Sequence, residues 1–356
     1  MSEHAAVTVD LPGAVGAPAD SVDAGVAWHY GDPHAEQRAL IDGAAVVDLS
    51  HRGVIRLTGA DRLRWLNDLT TQLTTDLQPG TSSQALLLDP RGHVEHELRL
   101  IETADATWIT VEPGAVSEVV AFLDSMRFML RVEVSDVTDQ YASIWVSQPE
   151  LIADLVPDAL VWNLPVEFTG SGHTEAGADR GGDAARYVPQ RPATLPGSEV
   201  IIDREQLVQV LQAAPELAGT WALEALRVAA AVPRVGVDTD HKSLPHELGL
   251  IGPAVHLAKG CYRGQETVAR VHNLGHPPRR LVLLHLDGSA AGLPQQGDAV
   301  TLADRQVGTI GSVARHHEWG PIALAVVKRN VDPSAELVVM AADGPMSAAQ
   351  EAVVVG

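Results

Sequence analysis

The stretch Lys259-Gly260-Cys261-Tyr262-Arg263-Gly264-Gln265-Glu266 sets the only cysteine of the chain among a cation, two glycines, a phenol, an amide and a carboxylate. Such residues at this spacing suit thiol chemistry. The two glycines permit a tight turn, and the run Glu266 to Val271 favours a helix. A helix N-terminus offers free N–H groups and positive potential. With Lys259 two residues away, the spacing predicts a Cys261 thiol that ionises more readily than a free one. By composition alone a lone cysteine is more often a small buried hydrophobe. The polar, varied neighbours set this segment apart from a plain core element.

This octapeptide resembles the Lys-Gly-Cys-Tyr-x-Gly-Gln-Glu signature of the YgfZ family. Those are folate-binding proteins related to the T-protein (GcvT) of the glycine cleavage system and linked to iron–sulfur cluster assembly. Every position agrees except the variable one, held by Arg263, and Thr267-Val268-Ala269-Arg270 continues the match. The resemblance implies that Cys261 is the functional thiol and Lys259 its electrostatic neighbour. It also implies that Tyr262, Gln265, Glu266 and Arg270 shape the site.

A second stretch, Asp48-Leu49-Ser50-His51-Arg52-Gly53 and the following strand to Thr58-Gly59, resembles the N-terminal region of T-proteins. His51 falls where that family lines its cavity; read without the family it is a turn histidine. Two stretches depart from the T-protein pattern. Its Leu-Arg-x-Glu-Ala-Gly helix reads here Leu226-Arg227-Val228-Ala229-Ala230-Ala231, with Ala229 at the glutamate. Its Gly-x-x-x-Asp-Asp-Leu reads Gly92-His93-Val94-Glu95-His96-Glu97-Leu98. That alignment puts His96 at the catalytic aspartate and Glu97 at its neighbour. An imidazole cannot take over the electrostatic role of a fixed carboxylate. The expectation is therefore against a full aminomethyltransferase, with one-carbon transfer as the chemistry if any occurs.

A folate ligand, tetrahydrofolate or another reduced form, needs a deep and mostly apolar channel with a few placed polar groups. It also needs cations for its glutamate tail. Arg227, Arg270, Lys259 and Lys242 are available, and Arg227 is the candidate contact, with His51 and His96 lining the cavity.

The elements that must position these groups follow from periodicity and turn chemistry. Residues 1–25 are rich in Ala, Asp, Gly and Pro and read as a disordered tail. Helices are expected over 36–47, over 115–129, over 205–213 and over 220–231. Strands are expected around Val54 to Leu57, over 85–88, 94–101, 108–111, 131–137 and 142–146, with Asp89-Pro90-Arg91-Gly92 as a hairpin turn. Helices between strand pairs suggest α+β units of ferredoxin-like kind. Residues 169–186, including His173, are low-complexity and read as a flexible loop. Residues 234–250 read as a polar functional loop. Pro277-Pro278 marks a boundary, after which five short strands predict a small β-barrel similar to that of T-proteins. The expected organisation is thus a tail (1–25), a folate-binding α/β region (26–276) and a C-terminal barrel (277–356), the three-lobed GcvT-like fold.

Composition bounds the partners. The chain has 356 residues, 46% of them hydrophobic, and a formal net charge of −21. That charge disfavours nucleic acid and anionic membranes. One cysteine excludes an internal disulfide, and one thiolate cannot hold an iron–sulfur cluster, which takes about four ligands. The chain has 15 histidines. His316 and His317 on a strand would point to opposite faces, and no chelating motif occurs, so no metal site is expected. No run of about 18 apolar residues is present to span a bilayer. The expectation is a cytoplasmic folate-binding accessory protein. Its partners would be iron–sulfur enzymes or assembly factors, reaching tRNA methylthiolation only indirectly. The alternative is a folate-dependent aminomethyltransferase or demethylase.

Overall fold

The computed structural model describes residues 10–165, 191–274, 276–288 and 292–354. The chain divides into two units. The first comprises Met1–Ala85, His96–Pro165 and Pro196–Leu223; the second comprises Leu86–Glu95, Val166–Leu195 and Glu224–Gly356. The low-complexity stretch 169–186, with His173, lies outside the described residues.

In the first unit a five-stranded sheet runs Leu160–Asn163, Ser198–Asp203, Tyr141–Val146, Ala45–Asp48, Glu216–Ala218. Its last pair is parallel, with Ala45 opposite Glu216, and the others are antiparallel. A parallel pair needs a long crossover, so Ala45–Asp48 and Glu216–Ala218 stand far apart in the chain. Val46, Ile144, Val146, Val200 and Ile202 bury one face with Leu207, Val210 and Leu211 of the helix Leu207–Ala213. These β-branched residues at alternate positions are what a half-buried strand requires.

The second sheet runs Ser82–Leu88, Val94–Glu102, Ala106–Val111, Gly53–Thr58, Glu133–Asp136. The helix Val116–Ser125 packs on Gly53–Thr58 and Glu133–Asp136 through buried Val119 and Leu123. The tip of the first hairpin, Leu86–Glu95, belongs to the second unit. Short helices on largely antiparallel sheets make the α+β class that the sequence predicts.

The second unit ends in a closed six-stranded barrel: Arg279–Leu286, Gly320–Lys328, Arg305–His316, Ala299–Leu302, Leu337–Ala341, Gly344–Ala352. Val282, Leu284, Val300, Ile310, Ala323 and Val339 point inward. Closure removes exposed edges. The sixth strand, Gly344–Ala352, is absent from the sequence reading because its small and polar residues lack a clear apolar alternation.

Several expectations change. The helix expected over 36–47 spans Pro33–Ile41, with Asp32 accepting hydrogen bonds from the His34 and Ala35 amides. It stops because Gly43 takes φ +79, and Ala45–Asp48 is already strand. The helix expected over 115–129 stops at Ser125, and Phe128 adopts φ +48 in the turn that follows. The tail expected to be disordered through Gly25 is ordered from Asp10. Leu11 packs into the core, Val15–Gly16 pairs with Ala27–His29, and Asp23 meets His51. His316 ends its strand, so alternation no longer separates it from His317, and the two rings lie 4.4 Å apart. The polar loop expected over 234–250 exposes Asp240, His241 and Lys242 but buries Arg234, Asp238, Ser243, His246 and Glu247.

Candidate functional site

The cysteine segment lies in the second unit. Gly264 at φ +81 turns the chain into the helix Gln265–Leu274. Gln265 ties the loop back, its backbone N–H donating to the Tyr262 carbonyl and its Nε2 to the carbonyls of Lys259 and Gly260 at 3.4 and 3.3 Å. Lys259 and Tyr262 are buried, and the Lys259 ammonium stands 5.0 Å from the centre of the Tyr262 ring. That is a cation–π contact. Burial pushes the Tyr262 phenol well above its ordinary pKa. Cys261 between them is exposed and free. Of the two readings of a lone cysteine, this structure presents the accessible one. Glu266 and Arg270 are exposed on the helix, which buries Val268. Arg263 reaches the hairpin tip through Glu95 at 3.1 Å.

Arg227 lies in the same unit, on the helix Thr220–Ala229. It spends all five guanidinium N–H donors inside the fold. Two go to Glu224, one to Asp238, one to the Val232 carbonyl and one to the Ser312 hydroxyl. Burial works against the charge, but Glu224 and Asp238 outweigh it and raise the Arg227 pKa. A contact from Arg227 to an anionic tail would have to displace one of these partners.

His51, His96 and Glu97 lie in the first unit. His96 and Glu97 are consecutive on the strand Val94–Glu102, so their side chains take opposite faces. His96 Nε2 stands 3.7 Å from Glu118, whose side chain is largely exposed. Glu97 faces inward, accepting a 2.7 Å hydrogen bond from Gln84 Nε2, with Arg99 Nε at 3.4 Å. Arg99 pairs with Glu199 and lies 5.0 Å over the Trp162 ring. Arg52 NH1 meets Glu112 at 3.0 Å and Glu199 at 3.7 Å, and Ser143 donates to Glu199 at 2.7 Å.

Three carboxylates thus share two guanidiniums in the interior. Burial first, then the nearby Glu112, raise Glu97 above the ordinary carboxyl range despite Arg99 and Arg52. Burial also works to raise Glu199, but Arg99, Arg52 and the Ser143 hydroxyl outweigh it and hold Glu199 low. Environments that push neighbouring carboxyls apart assign one to hold a proton and the other to stay charged. Of the two, Glu97 is the carboxyl shifted upward.

His51 Nε2 lies 2.9 Å from Asp23 Oδ1, with both side chains under a tenth exposed. Its other ring nitrogen, Nδ1, is buried without a hydrogen-bond partner among the described residues.

Sequence reasoning named His51, His96 and Glu97 but missed Asp23, Arg52, Arg99, Glu112 and Glu199. Glu97 and Arg99 two apart on one strand was a legible signal, because both fall on one face. Glu199 stands 100 residues from Arg99, and no local pattern announces it. Among the described residues no group of three or more His, Cys, Asp or Glu side chains is placed to hold a metal. No helix among them is long and apolar enough to cross a membrane.

Mixed α/β sheets followed by a closed six-stranded barrel define the GcvT-like fold. The glycine cleavage system aminomethyltransferase T from Bartonella henselae superposes with a TM-score of 0.73, covering 96% of this chain and 93% of that one at 15% identity. Residues 24–169 match the GCVT N-terminal domain. An aminomethyltransferase of Nostoc sp. is 27% identical over 304 residues, 82% of this chain and 79% of that protein. An aminomethyltransferase of Streptomyces coelicolor is 28% identical over 316 residues, 84% and 82% of the two chains. A putative chloroplastic transferase of Arabidopsis thaliana is 26% identical over 286 residues, and the match spans 62% of that protein's length. Over residues 24–169 the chain is thus similar to the GCVT N-terminal domain.

Proposed function

We propose that this protein is a reduced-folate-dependent one-carbon transferase of the aminomethyltransferase type, with Glu97 as the carboxyl that handles the proton. The observation that carries this reading is the buried Glu97 carboxyl, held by Gln84 Nε2 at 2.7 Å and faced by Arg99 at 3.4 Å, in a site that shifts it upward. The sequence argued against turnover because His96 replaces an aspartate. The strand turns His96 away and keeps a carboxyl one residue on, so the loss at His96 does not remove a buried acid.

A reduced pterin is the ligand that this reading implies. It is rich in N–H donors, and Glu97 and His51 Nδ1 are buried groups able to receive them. Bound tetrahydrofolate would supply the nitrogens that accept the one-carbon unit. Glu97 would hold a proton at its carboxyl, with Gln84 and Arg99 orienting it. His51 would contribute an acceptor. The test combines purified protein, tetrahydrofolate and an S-aminomethyl donor, whose carbon is already at the oxidation level of the methylene product and whose thiol and ammonia leave as it is transferred. Formation of methylene-tetrahydrofolate that is lost in Glu97→Gln and kept in His96→Ala supports the reading. No turnover, or turnover indifferent to Glu97→Gln, overturns it.

A second reading has its own support in the exposure of Cys261. It is the YgfZ-like accessory role, in which this thiol serves iron–sulfur enzymes or their assembly factors, with tetrahydrofolate as cofactor. Cys261→Ser in cells lacking the wild-type copy is the test. Unchanged activity of iron–sulfur enzymes under oxidative stress removes the thiol from that role.

A further inference from the structure

Asp23 lies one residue before the matched GCVT N-terminal domain, which begins at residue 24. Its carboxylate nevertheless reaches into that domain and stands 2.9 Å from His51 Nε2. The two side chains are 9% and 8% exposed. A buried carboxylate is an acceptor and cannot donate. The proton on a neutral His51 ring is therefore drawn to Nε2, and Nδ1 is left with a lone pair. That Nδ1 is itself buried, and the described residues offer it no donor. A buried acceptor without a partner is costly, so it is retained where something else meets it.

We propose that Asp23 is a positioning residue that locks His51 as its Nε2–H tautomer, so that Nδ1 is a fixed acceptor for an N–H donor of the bound ligand. The ligand class, a reduced pterin, rests on the folate reading above; the tautomer lock does not. The hydrogen bond to a charged partner is stronger than a neutral one and sets both ring orientation and protonation site. The free nitrogen then points one acceptor at the ligand and repels an analogue that presents an acceptor there. The segment that supplies Asp23 is held by Leu11 in the core and by the pairing of Val15–Gly16 with Ala27–His29. Asp23 is thus anchored by ordered backbone and does not rely on a free tail.

The experiment reads the tautomer directly. Long-range 1H–15N spectra of the full chain, labelled at histidine, are recorded at about pH 8, above the ordinary imidazole range. The His51 resonances are assigned by their loss in His51→Gln. The expected result is an unprotonated Nδ1 and a protonated Nε2. A proton on Nδ1 in the wild type overturns the proposal without any variant at Asp23. In Asp23→Asn the new amide can donate to Nε2, and the tautomer should reverse, as it does when an orienting aspartate is amidated elsewhere. An unchanged tautomer in both Asp23→Asn and Asp23→Ala shows that Asp23 does not set it.

Titration with tetrahydrofolate and with 6-methyltetrahydropterin then tests the acceptor. Both should move the Nδ1 resonance. Asp23→Asn should weaken binding by about three- to tenfold, the worth of one hydrogen bond, with no further loss when added to His51→Gln. Binding that leaves Nδ1 unmoved rejects the acceptor role. If neither pterin binds the wild type, the folate reading fails while the tautomer result stands by itself.

Discussion

Gly92 and Gly264 lie against each other. A Cβ on Gly264 would come within 2.8 Å of the Gly92 Cα and 2.6 Å of the Asp89 carbonyl oxygen. Both have positive φ, +84 for Gly92 and +81 for Gly264. The hairpin tip and the end of the cysteine loop are therefore pressed together at the one place where neither chain has a side chain. Asp89 shapes its side of this contact by accepting from the backbone N–H groups of Arg91 and His93 at 2.7 and 2.9 Å.

Gly264→Ala should therefore destabilise the protein by about 2 kcal/mol or more, combining left-handed strain with a clash against backbone that cannot swing aside. Urea unfolding reads this as a lower midpoint at unchanged slope. Gly260→Ala should cost far less, because nothing lies within 4 Å of where its Cβ would stand and its φ is not positive.

Arg279 bridges Asp240 at 2.7 Å and Glu247 at 2.8 Å, and Glu247 is fully buried. Arg279→Met should cost about 3 kcal/mol, because it leaves a carboxylate buried and unpaired. Adding Glu247→Gln should recover much of that loss. Equal stability of the single and double variants would show that the ion pair contributes nothing specific.

His246 is fully buried, and burial, with a smaller push from His272, lowers its imidazole to about 3. An unfolded histidine titrates near about 6.5. Between those values the unfolded chain takes up a proton that the folded one refuses, so stability should fall as pH drops from about 6 towards 4. His246→Asn should flatten this acid limb, whatever its effect on stability at neutral pH.

Glu97 has the opposite sign. Its raised pKa means the folded protein keeps a proton that the unfolded chain releases above the ordinary carboxyl range, about 4.3. Its contribution is therefore greatest in acid and declines as pH rises. Glu97→Gln should gain stability relative to wild type between about pH 5 and 8, read from denaturation midpoints across that range. A difference independent of pH would mean that Glu97 is ionised throughout.

The sequence by itself determined the elements and one motif. Apolar alternation placed the strands of the second sheet and five of the six barrel strands, with some ends several residues off, but of the first sheet it placed Tyr141–Val146 alone. Turn chemistry placed the Asp89–Gly92 hairpin and the glycine bend before Gln265. The octapeptide around Cys261 was legible because its residues are neighbours in the chain. Only the tertiary structure decided which charges are spent. Arg227, read as a free cation, is saturated by Glu224, Asp238, Val232 and Ser312, and the last stands 85 residues away. The polar stretch 234–250, read as a functional loop, buries Asp238 and Glu247 because these carboxylates find Arg227 and Arg279. Glu97 is raised above the ordinary carboxyl range because it is buried and Glu112 lies beside it, against the pull of Arg99 and Arg52. Protonation and partnership are set by distance through space and by exclusion of water, and one-dimensional spacing carries neither.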